Sequence, residues 1–574
     1  MEVILAAHAG FCMGVRRAVE TTIEIVRKED EGIATFGPLI HNPQVLDLLN
    51  ERGVRVLDHV PEKGEGTIII RAHGIPPALK QQLIASGARV QDATCPRVVK
   101  VQVIIKKYRN KGYSTVIIGD RNHAEVEGLM GYAGENCHVV SSEQDLEKLK
   151  VAAPYIIVSQ TTQDEISFEN ISQKILEYFP GGEVFNTICD STHKRQEEVR
   201  KLCEKVQAMV VVGGKASANT QRLGKIAQGM GCPVFMIENQ EDLDIKALSA
   251  FDCVGVTAGA STPSWMIKWV VRALEAVPGK SDGLIRPVIN RFLWLLLATN
   301  FYISLGGGLM AYAFGKLLSG EQSGANFFLA FGYLFAMHNI NRFTDQRSKK
   351  INDPIRALFY RRYRWTFLIA SAIALTGSLT LAFGMGSQSF LLLLGMSILG
   401  VLYSVRFIPK SLSTVTRVRG LKEIPGSKSI FVAMAWAFVI VVVPAFESST
   451  GVTPYILGGT IIVFLLAYLR SALFDVFDIL GDRLVGKETL PVWIGEKRTL
   501  LILHVINALL IIIVLSAPLM GLLPVAAYWL GPGIIYQGAL VYFYDKGRFR
   551  EGFRLEFAVE TTVFIIAFSV WFAV

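Results

Sequence analysis

The spacing of hydrophobic positions changes once along the chain. Up to about residue 278 they form short runs rich in Val and Ile, separated by polar clusters and helix-like stretches. Beyond residue 291 they form runs long enough to cross a membrane. The short runs include TIII (67–70), STVIIG (114–119), PYIIVS (154–159), AMVVVGG (208–214) and CVGVTAG (253–259). Their alternation with helices predicts an α/β fold with parallel sheets in the first half, followed by a membrane half.

A break in this pattern separates the two halves. The stretch EAVPGKSDGLIRP (275–287) interrupts the helical periodicity with Pro, Gly and Asp, as linkers between domains do. We therefore predict a soluble domain over residues 1–277, a linker over 278–290 and a membrane domain over 291–574. A length of 574 residues is enough for two domains of this size.

The second half predicts an all-α bundle of nine transmembrane helices. Lys and Arg concentrate in the loops after the second, fourth, sixth and eighth spans, and the other loops carry almost none. By the positive-inside rule, the protein is a multi-pass protein of the inner (cytoplasmic) membrane, with its N-terminal domain in the cytoplasm and its C-terminus outside. The predicted spans are 292–314, 325–341, 366–385, 389–407, 429–446, 455–474, 499–518, 522–543 and 557–573.

The charge balance narrows the range of partners. A formal net charge of +9 suggests nucleic-acid binding, but the basic loops between the spans account for it. We therefore expect a lipid membrane, and no nucleic acid, as a partner. The opening MEVILAAHAGFC lacks the basic leader and long apolar core of a signal peptide. In the reducing cytoplasm, the seven cysteines are expected to be metal ligands or packing residues rather than disulfides.

Three cysteines differ from the rest in their context. Cys12 in GFCMGV, Cys95 in DATCP and Cys189 in NTICDST each follow a short β-like run, beside small or hydroxylated residues. They lack the close CxxC spacing of structural zinc sites. Three thiolates converging on a 4Fe–4S cluster leave one iron without a protein ligand, whereas electron-transfer clusters usually have four cysteine ligands. The remaining cysteines are predicted to pack in the interior: Cys137, Cys203, Cys232 and Cys253.

Polar clusters follow nearly every β-like run, which is where ligands bind in open α/β sheets. SANT (217–220), AGASTP (258–263) and the Thr pair of SQTT are candidates for cradling a diphosphate at helix N-termini. Each of them alone is more typical of an ordinary helix N-cap, so only their repetition supports a phosphate site.

Three histidines and one glutamate add to this picture. His41, His73 and His123 each follow an apolar run or lie beside a turn residue, which favours anion binding near the thiols. A lone histidine is more often structural. Glu125, two residues after His123, is the natural proton donor, because burial would raise its pKa toward neutrality.

These motifs together resemble the IspH/LytB family of 4-hydroxy-3-methylbut-2-enyl diphosphate reductases. They occur in order from residue 1 to about 277: GFCMGVRRAV, IHN, RAHG, DATCP, HAEVEG, QTT, NTIC, SANT and AGAST. The resemblance implies a three-lobed α/β fold around a central 4Fe–4S cluster. It implies reduction of 4-hydroxy-3-methylbut-2-enyl diphosphate to isopentenyl and dimethylallyl diphosphates, with electrons from a donor such as ferredoxin or flavodoxin.

The resemblance also implies a role for each matching residue. The cluster ligands would be Cys12, Cys95 and Cys189. The residues that bind the diphosphate of the substrate would be His41, His73, His123, Ser217, Asn219 and Ser261. Glu125, with Thr161 near the substrate hydroxyl and His123 beside it, would form the catalytic set.

Carboxylates near the membrane face of the second half suggest a further site. Asp475, Asp478 and Asp482 are spaced by three and four residues, which places them on one face of a helix. Clustered carboxylates repel each other unless a cation joins them, and Mg²⁺ bridging to a diphosphate does so. A solvated helix end is the plainer alternative, although acidic residues at a membrane face are costly unless they are used.

This segment and NRFTDQRSKK (341–350) resemble the UbiA family of intramembrane prenyltransferases, over about residues 290–574. The resemblance implies Mg²⁺-assisted transfer of a prenyl group from a polyprenyl diphosphate to a lipid-soluble acceptor. Asn341 and Asp345 match its first aspartate-rich motif, and the three aspartates above match its second. Lys349 departs from the first motif, where a second aspartate is usual. Lys422 and Lys428 are further diphosphate candidates.

The main hypothesis is a reductase fused to a prenyltransferase. An alternative keeps the same reductase and makes the membrane half a non-catalytic, lipid-binding tether, for which Lys349 is the best support. A third hypothesis, an iron–sulfur electron carrier or sensor, does not explain the three histidines and Glu125, because a carrier needs no anion pocket.

Overall fold

The structure is a computed structural model. It describes residues 1–29, 32–275, 277, 285–320, 323–344, 352–404, 424, 426–446, 453–485, 487, 489–549 and 552–573. The chain forms two compact units, Met1–Pro287 and Val288–Val574.

The first unit contains three separate four-stranded parallel sheets, which confirms the predicted α/β class. Their strand orders are β1-β12-β10-β11, β3-β2-β4-β5 and β7-β6-β8-β9, called sheets A, B and C below. The strands are β1 (Glu2–Leu5), β2 (Ile33–Phe36), β3 (Arg55–Leu57), β4 (Thr67–Ile70), β5 (Arg89–Asp92), β6 (Ser114–Ile118), β7 (Cys137–Val140), β8 (Tyr155–Ser159), β9 (Gly182–Phe185), β10 (Ala208–Val212), β11 (Val234–Ile237) and β12 (Cys253–Ala258). The inner strands are almost entirely buried and largely apolar, as is usual for parallel sheets covered on both faces.

Helices follow most of the strands, and some of them join strands of one sheet while others lead from one sheet to the next. They are α1 (Met13–Lys28), α2 (Pro43–Asn50), α3 (Pro77–Ala85), α4 (Pro96–Arg109), α5 (Ala124–Ala133), α6 (Glu165–Tyr178), α7 (Asp190–Cys203), α8 (Ala218–Gly229), α9 (Ile245–Leu248) and α10 (Ser264–Glu275). Sheet A combines the first strand of the chain with the last three strands. The beginning and the end of this unit therefore lie in the same lobe. Parallel pairing brings the carboxyl ends of the strands to one edge of each sheet, and the loops that leave this edge carry the motifs.

The second unit is helical in its described residues. Its helices are α11 (Ile285–Ala298), α12 (Phe301–Ser319), α13 (Gly324–Thr344), α14 (Pro354–Arg362), α15 (Arg364–Met385), α16 (Ser387–Ser404), α17 (Ser427–Ala437), α18 (Pro454–Phe477), α19 (Ile479–Val485), α20 (Leu490–Ile494), α21 (Glu496–Ser516), α22 (Gly531–Asp545) and α23 (Phe553–Ala573). Helix α17 continues through a π-helical turn, Phe438–Val442, to Ala445. One apolar core, with Trp436 fully buried in it, joins most of these helices.

Within the described residues, six helices are long and apolar enough to span a membrane, which corrects the prediction of nine. They are Phe301–Ser319, Arg364–Met385, Ser427–Ala445, Pro454–Phe477, Glu496–Ser516 and Phe553–Ala573. Of the other three predicted spans, 325–341 falls on α13, whose hydropathy is lowered by Asn326, His338 and Asn339. The span 389–407 falls on the shorter apolar stretch Ser387–Tyr403. The span 522–543 falls on α22, which has 15 residues.

The first predicted span, 292–314, is interrupted at Asn300. This residue adopts a left-handed backbone conformation (φ 59°) between α11 and α12. Its side-chain amide donates hydrogen bonds to Asn339 Oδ1 (3.1 Å) and to Tyr360 Oη (3.0 Å). Asparagine tolerates this backbone region better than most residues, and the two buried bonds fix the break.

Candidate functional site

The three predicted cluster cysteines occupy equivalent positions in the three sheets. Each follows an edge strand (β1, β5 or β9) and is the N-cap residue of the next helix (α1, α4 or α7). Each also donates its backbone N–H to a carbonyl just beyond the neighbouring inner strand. These bonds are Cys12 to Ala260 (3.1 Å), Cys95 to Ala72 (2.9 Å) and Cys189 to Thr161 (2.9 Å). The repeated geometry explains how residues far apart in sequence reach one centre.

Direct contacts join the three cysteine loops. A Cβ atom at Gly14 would collide with the Cys95 sulfur, so only glycine allows α1 to approach that loop this closely. Arg97 at the start of α4 forms an ion pair with Asp190 at the start of α7. The loops of sheets A, B and C therefore meet at their cysteines.

The thiols form a donor set suited to a positively charged metal group. Burial raises the pKa of Cys95, and the nearby thiols of Cys12 and Cys189 raise it further. Burial likewise raises the pKa of Cys189, to which Cys12 again contributes. Thiolates that raise each other's pKa are stabilised when a metal replaces their protons. A multi-iron cluster binds each thiolate through a different iron, which suits three ligands on three separate lobes.

The three predicted histidines form one pocket. The ring centroids of His41 and His73 lie 4.6 Å apart, those of His73 and His123 lie 5.3 Å apart, and those of His41 and His123 lie 5.7 Å apart. His41 Nε2 and His73 Nδ1 are buried and have no hydrogen-bond partner among the described residues. Because buried polar atoms are normally satisfied, these two nitrogens mark a place for a polar ligand.

Neutral imidazoles line this pocket. Burial lowers the pKa of His73 well below its usual value, and it lowers the pKa of His123 to about 4. His123 Nδ1 accepts the Glu125 backbone N–H (3.1 Å), so its neutral ring carries the proton on Nε2. A ligand therefore meets an N–H donor at His123, which suits an anion better than a metal ion.

Two arginines supply the positive charge beside these histidines. Arg71, two residues before His73, lowers the pKa of all three imidazoles, and Arg222 on α8 lowers that of His123. Arg222 donates to the Thr162 carbonyl (2.7 Å) and forms an ion pair with Asp120 (3.1 Å). Neither arginine was a candidate in the sequence. The RAHG motif contains Arg71, but nothing in the sequence pattern distinguishes Arg222 from a solvated helix charge.

Sheet A contributes the three remaining diphosphate candidates. Ser217 is the buried N-cap of α8. Asn219 Nδ2 in the first turn is buried, and no described residue accepts a hydrogen bond from it. Ser261 Oγ donates to the His41 carbonyl (3.1 Å). A Cβ at Gly214, just before this helix, would lie 2.6 Å from the same carbonyl. The loops after β10 and β12 therefore adjoin the histidine pocket, and the start of α8 offers a helix N-terminus to an anion.

Hydrogen bonds through Thr161 connect Glu125 to the loop of Cys189. The Thr161 backbone N–H and hydroxyl donate to the two oxygens of Glu125, at 2.6 Å and 2.8 Å. The Thr161 carbonyl in turn accepts the Cys189 backbone N–H. Glu125 is 1% exposed, and burial raises its pKa to about 6, against the effect of the Thr161 hydrogen bonds. It can therefore give up a proton near neutral pH.

The three aspartates of the membrane half do not lie on one continuous helix. Helix α18 ends at Phe477, Asp478 is its C-cap, and α19 follows. Asp475 is buried, forms an ion pair with Lys428 and accepts the Ser429 hydroxyl (2.7 Å). Asp482 is also buried and accepts from Asn352 Nδ2 (3.1 Å).

The first aspartate-rich motif is described only in part. Asn341 lies in the last turn of α13. Asp345, Lys349 and Lys422 lie outside the described residues. Lys428, the other lysine candidate, is the partner of Asp475 rather than an isolated cation.

Comparison with known proteins identifies both halves. Residues 3–275 match the family model of the LytB protein. Over 285 residues, the chain is 41% identical to a protein of Geobacter sulfurreducens named 4-hydroxy-3-methylbut-2-enyl diphosphate reductase, covering 100% of that protein and 49% of this chain. The chain belongs to the LytB family. Residues 300–559 of this LytB-family protein match the model of the UbiA prenyltransferase family. The protein is thus a LytB domain fused to a UbiA-family domain, as the sequence motifs predicted.

Further relatives cover one half each. A reductase of the same name from Caldanaerobacter subterraneus is 40% identical to the LytB domain over 288 residues, 49% of this chain and 100% of the relative. A solved reductase from Plasmodium falciparum is 30% identical and covers 48% of this chain and 88% of its own, with a TM-score of 0.46. A solved UbiA homologue from Archaeoglobus fulgidus, bound to GPP and Mg²⁺, is 20% identical and covers 49% and 98%, with a TM-score of 0.37.

Proposed function

We propose that the protein joins two steps of isoprenoid metabolism in one chain. Its LytB domain is a 4-hydroxy-3-methylbut-2-enyl diphosphate reductase, the activity for which its relatives are named. Its products are isopentenyl and dimethylallyl diphosphates. The observation that carries this proposal is the convergence of three cysteine loops, a histidine pocket with unsatisfied nitrogens and the buried Glu125–Thr161 pair.

Cys12, Cys95 and Cys189 hold a 4Fe–4S cluster in this proposal. When bound, such a cluster would pass electrons to the substrate from a donor such as ferredoxin or flavodoxin, and its three cysteine ligands would leave one iron for the substrate. The fit rests on the three equivalent N-cap positions, since the free N–H groups of a helix N-terminus stabilise a thiolate. An electron carrier would need the cysteines but not the pocket beside them.

The substrate's diphosphate binds where unsatisfied donors and positive charge meet. His41, His73 and His123 offer neutral N–H donors, and Arg71 and Arg222 compensate the negative charge nearby. The loops of sheet A complete the site with Ser217, Asn219 and Ser261. Asn219 Nδ2 can donate to the diphosphate, since no described residue accepts its hydrogen bond. The burial of these groups excludes water and strengthens each hydrogen bond.

Glu125 delivers the proton that leaves with the substrate hydroxyl as water. Its hydrogen bonds to Thr161 fix both carboxyl oxygens, and the Thr161 hydroxyl can pass a proton onward. A pKa of about 6 keeps part of the population protonated at neutral pH. His123 binds the Glu125 backbone and so orients the start of α5.

The UbiA-family domain transfers a prenyl group from a longer polyprenyl diphosphate in this proposal. Asn341, Asp345, Asp475, Asp478 and Asp482 bind the diphosphate through Mg²⁺, on the cytoplasmic side of a multi-pass domain in the inner membrane. The domains span residues 1–277 and 291–574, joined by the linker 278–290. Support comes from the family match and from the burial of carboxylates at the end of a membrane helix, which is costly without a function.

A second candidate is a non-catalytic, lipid-binding membrane tether. The ion pair between Asp475 and Lys428 favours it, because a carboxylate neutralised by lysine has less need of a cation. The Ser429 hydroxyl satisfies the second oxygen of Asp475.

Cys95→Ala should abolish binding of the cluster. It removes one of the three cysteine ligands, and the two that remain come from only two of the three lobes. The measurement is iron and acid-labile sulfide per chain, together with the visible absorption, in anaerobically purified full-length protein. Cys137→Ala is the matched control: Cys137 starts β7, and its raised pKa fits a packing thiol. Full cluster content in Cys95→Ala would contradict the assignment.

Asp478→Ala should abolish Mg²⁺-dependent binding of a long-chain prenyl diphosphate if the UbiA-family domain is a transferase. Asp478 suits this test because it is partly exposed at the C-cap of α18, whereas Asp475 and Asp482 are buried. Binding to the detergent-purified full-length protein would be titrated with and without Mg²⁺. Asp545→Ala, an exposed aspartate at the end of α22, is the control. Binding indifferent to Mg²⁺ and to Asp478 would favour the tether.

A further inference from the structure

A buried arginine lies between two of the cysteine loops. Arg195 lies on α7, six residues after Cys189, and is 4% exposed. Its Nη2 donates to the Gly10 carbonyl (2.5 Å), and its Nη1 donates to the Ser191 carbonyl (2.9 Å). Gly10 is two residues before Cys12, and Ser191 is two residues after Cys189. One guanidinium therefore ties together two segments that carry cysteines of the centre.

Among the described residues, Arg195 makes no hydrogen bond to a carboxylate. Its hydrogen-bond acceptors are neutral carbonyls and the Ser191 hydroxyl, and its Nε is buried without a partner among the described residues. The nearby carboxylate of Glu198 is occupied by the backbone N–H groups of Ala7 and His8. Buried charges in proteins are normally paired, because an unpaired buried charge is strongly destabilising.

Cys12 and Cys189 would carry negative charge close to this cation once a metal had replaced their protons. Burial lowers the pKa of Arg195, whereas negative charge at Cys12, Cys189 and Glu198 favours its charged form. With the cluster bound, the negative charge of the thiolates and sulfides lies beside Arg195. The negative charge of the cluster would balance the buried charge of Arg195, and the positive charge of Arg195 would in turn stabilise the cluster.

We propose that Arg195 is the buried counter-charge of the iron–sulfur centre and raises its reduction potential. Reduction adds one electron from the external donor to the centre and breaks no bond. A fixed positive charge nearby stabilises the more negative, reduced state, so the potential rises. Arg195 acts through the cluster and is thus a positioning residue rather than a catalytic one. The inference rests on the proposed function, since it requires the cluster at these cysteines.

The test is a redox titration of the bound cluster, followed by its electron paramagnetic resonance signal, in anaerobic full-length protein. Arg195→Gln should shift the midpoint potential to a more negative value, and Arg195→Lys, which keeps the charge, should stay near the parent. Lys201→Gln is the control: it removes a charge from the same helix, where Lys201 is exposed and paired with Glu197. It should leave the potential unchanged.

Each result decides the inference. Arg195→Gln with the parent's potential would overturn it. If Arg195→Gln takes up no cluster, Arg195→Lys decides: a cluster at the parent's potential supports the charge role, and a folded but cluster-free protein overturns it. A parent protein that binds no cluster would contradict the proposed function itself, and that outcome is visible before any variant is compared.

Discussion

Replacing Glu125 with Gln is expected to lower the turnover of 4-hydroxy-3-methylbut-2-enyl diphosphate by about 10²- to 10⁴-fold, the usual contribution of a positioned proton donor. The amide keeps the shape of the carboxyl group and its Oε1 can still accept the Thr161 backbone N–H, but it has no proton to deliver. Iron content and the cluster spectrum should match the parent, because Glu125 contacts Thr161 and not the thiols. The measurement is steady-state turnover with a chemical reductant.

The matched control is Glu135→Gln, an exposed carboxylate just after α5, which should turn over at the parent's rate. The pH dependence gives an independent check. Burial raises the pKa of Glu125 to about 6, so the protonated fraction falls as the pH rises through that value. kcat/KM of the parent should therefore decline on the alkaline side of pH about 6, and Glu125→Gln should lack this decline. Unchanged turnover in the variant would rule out the relay.

Replacing Glu560 with Gln is expected to destabilise the UbiA-family domain by about 3–5 kcal/mol, the cost of leaving one partner of a buried ion pair uncompensated. Arg470 Nε and Nη2 bind the two oxygens of Glu560, the first at 2.6 Å. Arg470 is 11% exposed and also packs over the Trp436 and Phe474 rings. Loss of the carboxylate leaves the guanidinium charged inside a membrane bundle. Unfolding in mixed detergent micelles measures the effect.

A double-mutant cycle separates the pair from its surroundings. Arg470→Met and Glu560→Leu should each destabilise the domain, and combining these two substitutions should recover most of the loss, because no uncompensated charge remains. Arg498→Gln, at an exposed position of α21, should change stability by less than about 0.5 kcal/mol. Additive losses in the double variant would show that the two side chains are not coupled.

Local patterns were sufficient to predict the α/β class and the parallel sheets of the LytB domain. Each cysteine follows a Val- or Ile-bearing run in the sequence, and in the structure each follows an edge strand and begins a helix. The sequence does not show how the loops of three sheets meet. Arg195 and Arg222 were missed for this reason: both look like solvated helix charges in the sequence, and only tertiary packing buries them.

The membrane half shows the limits of hydropathy as a guide. A run of apolar residues predicts a span but not where the helix breaks. Asn300 interrupts the first span through hydrogen bonds to Asn339 and Tyr360, which lie 39 and 60 residues away. Asp478 lies between α18 and α19, so the three aspartates are not on one uninterrupted helix. The break at Asn300 arises from polar contacts that hydropathy does not capture.

The most direct test of the central claim is the conversion of 4-hydroxy-3-methylbut-2-enyl diphosphate by the anaerobically purified, full-length protein with a strong reductant. The account predicts that the parent forms isopentenyl and dimethylallyl diphosphates, and that Cys95→Ala forms neither. A parent with an intact cluster that leaves the substrate unchanged would contradict the account, as would Cys95→Ala turning over at the parent's rate.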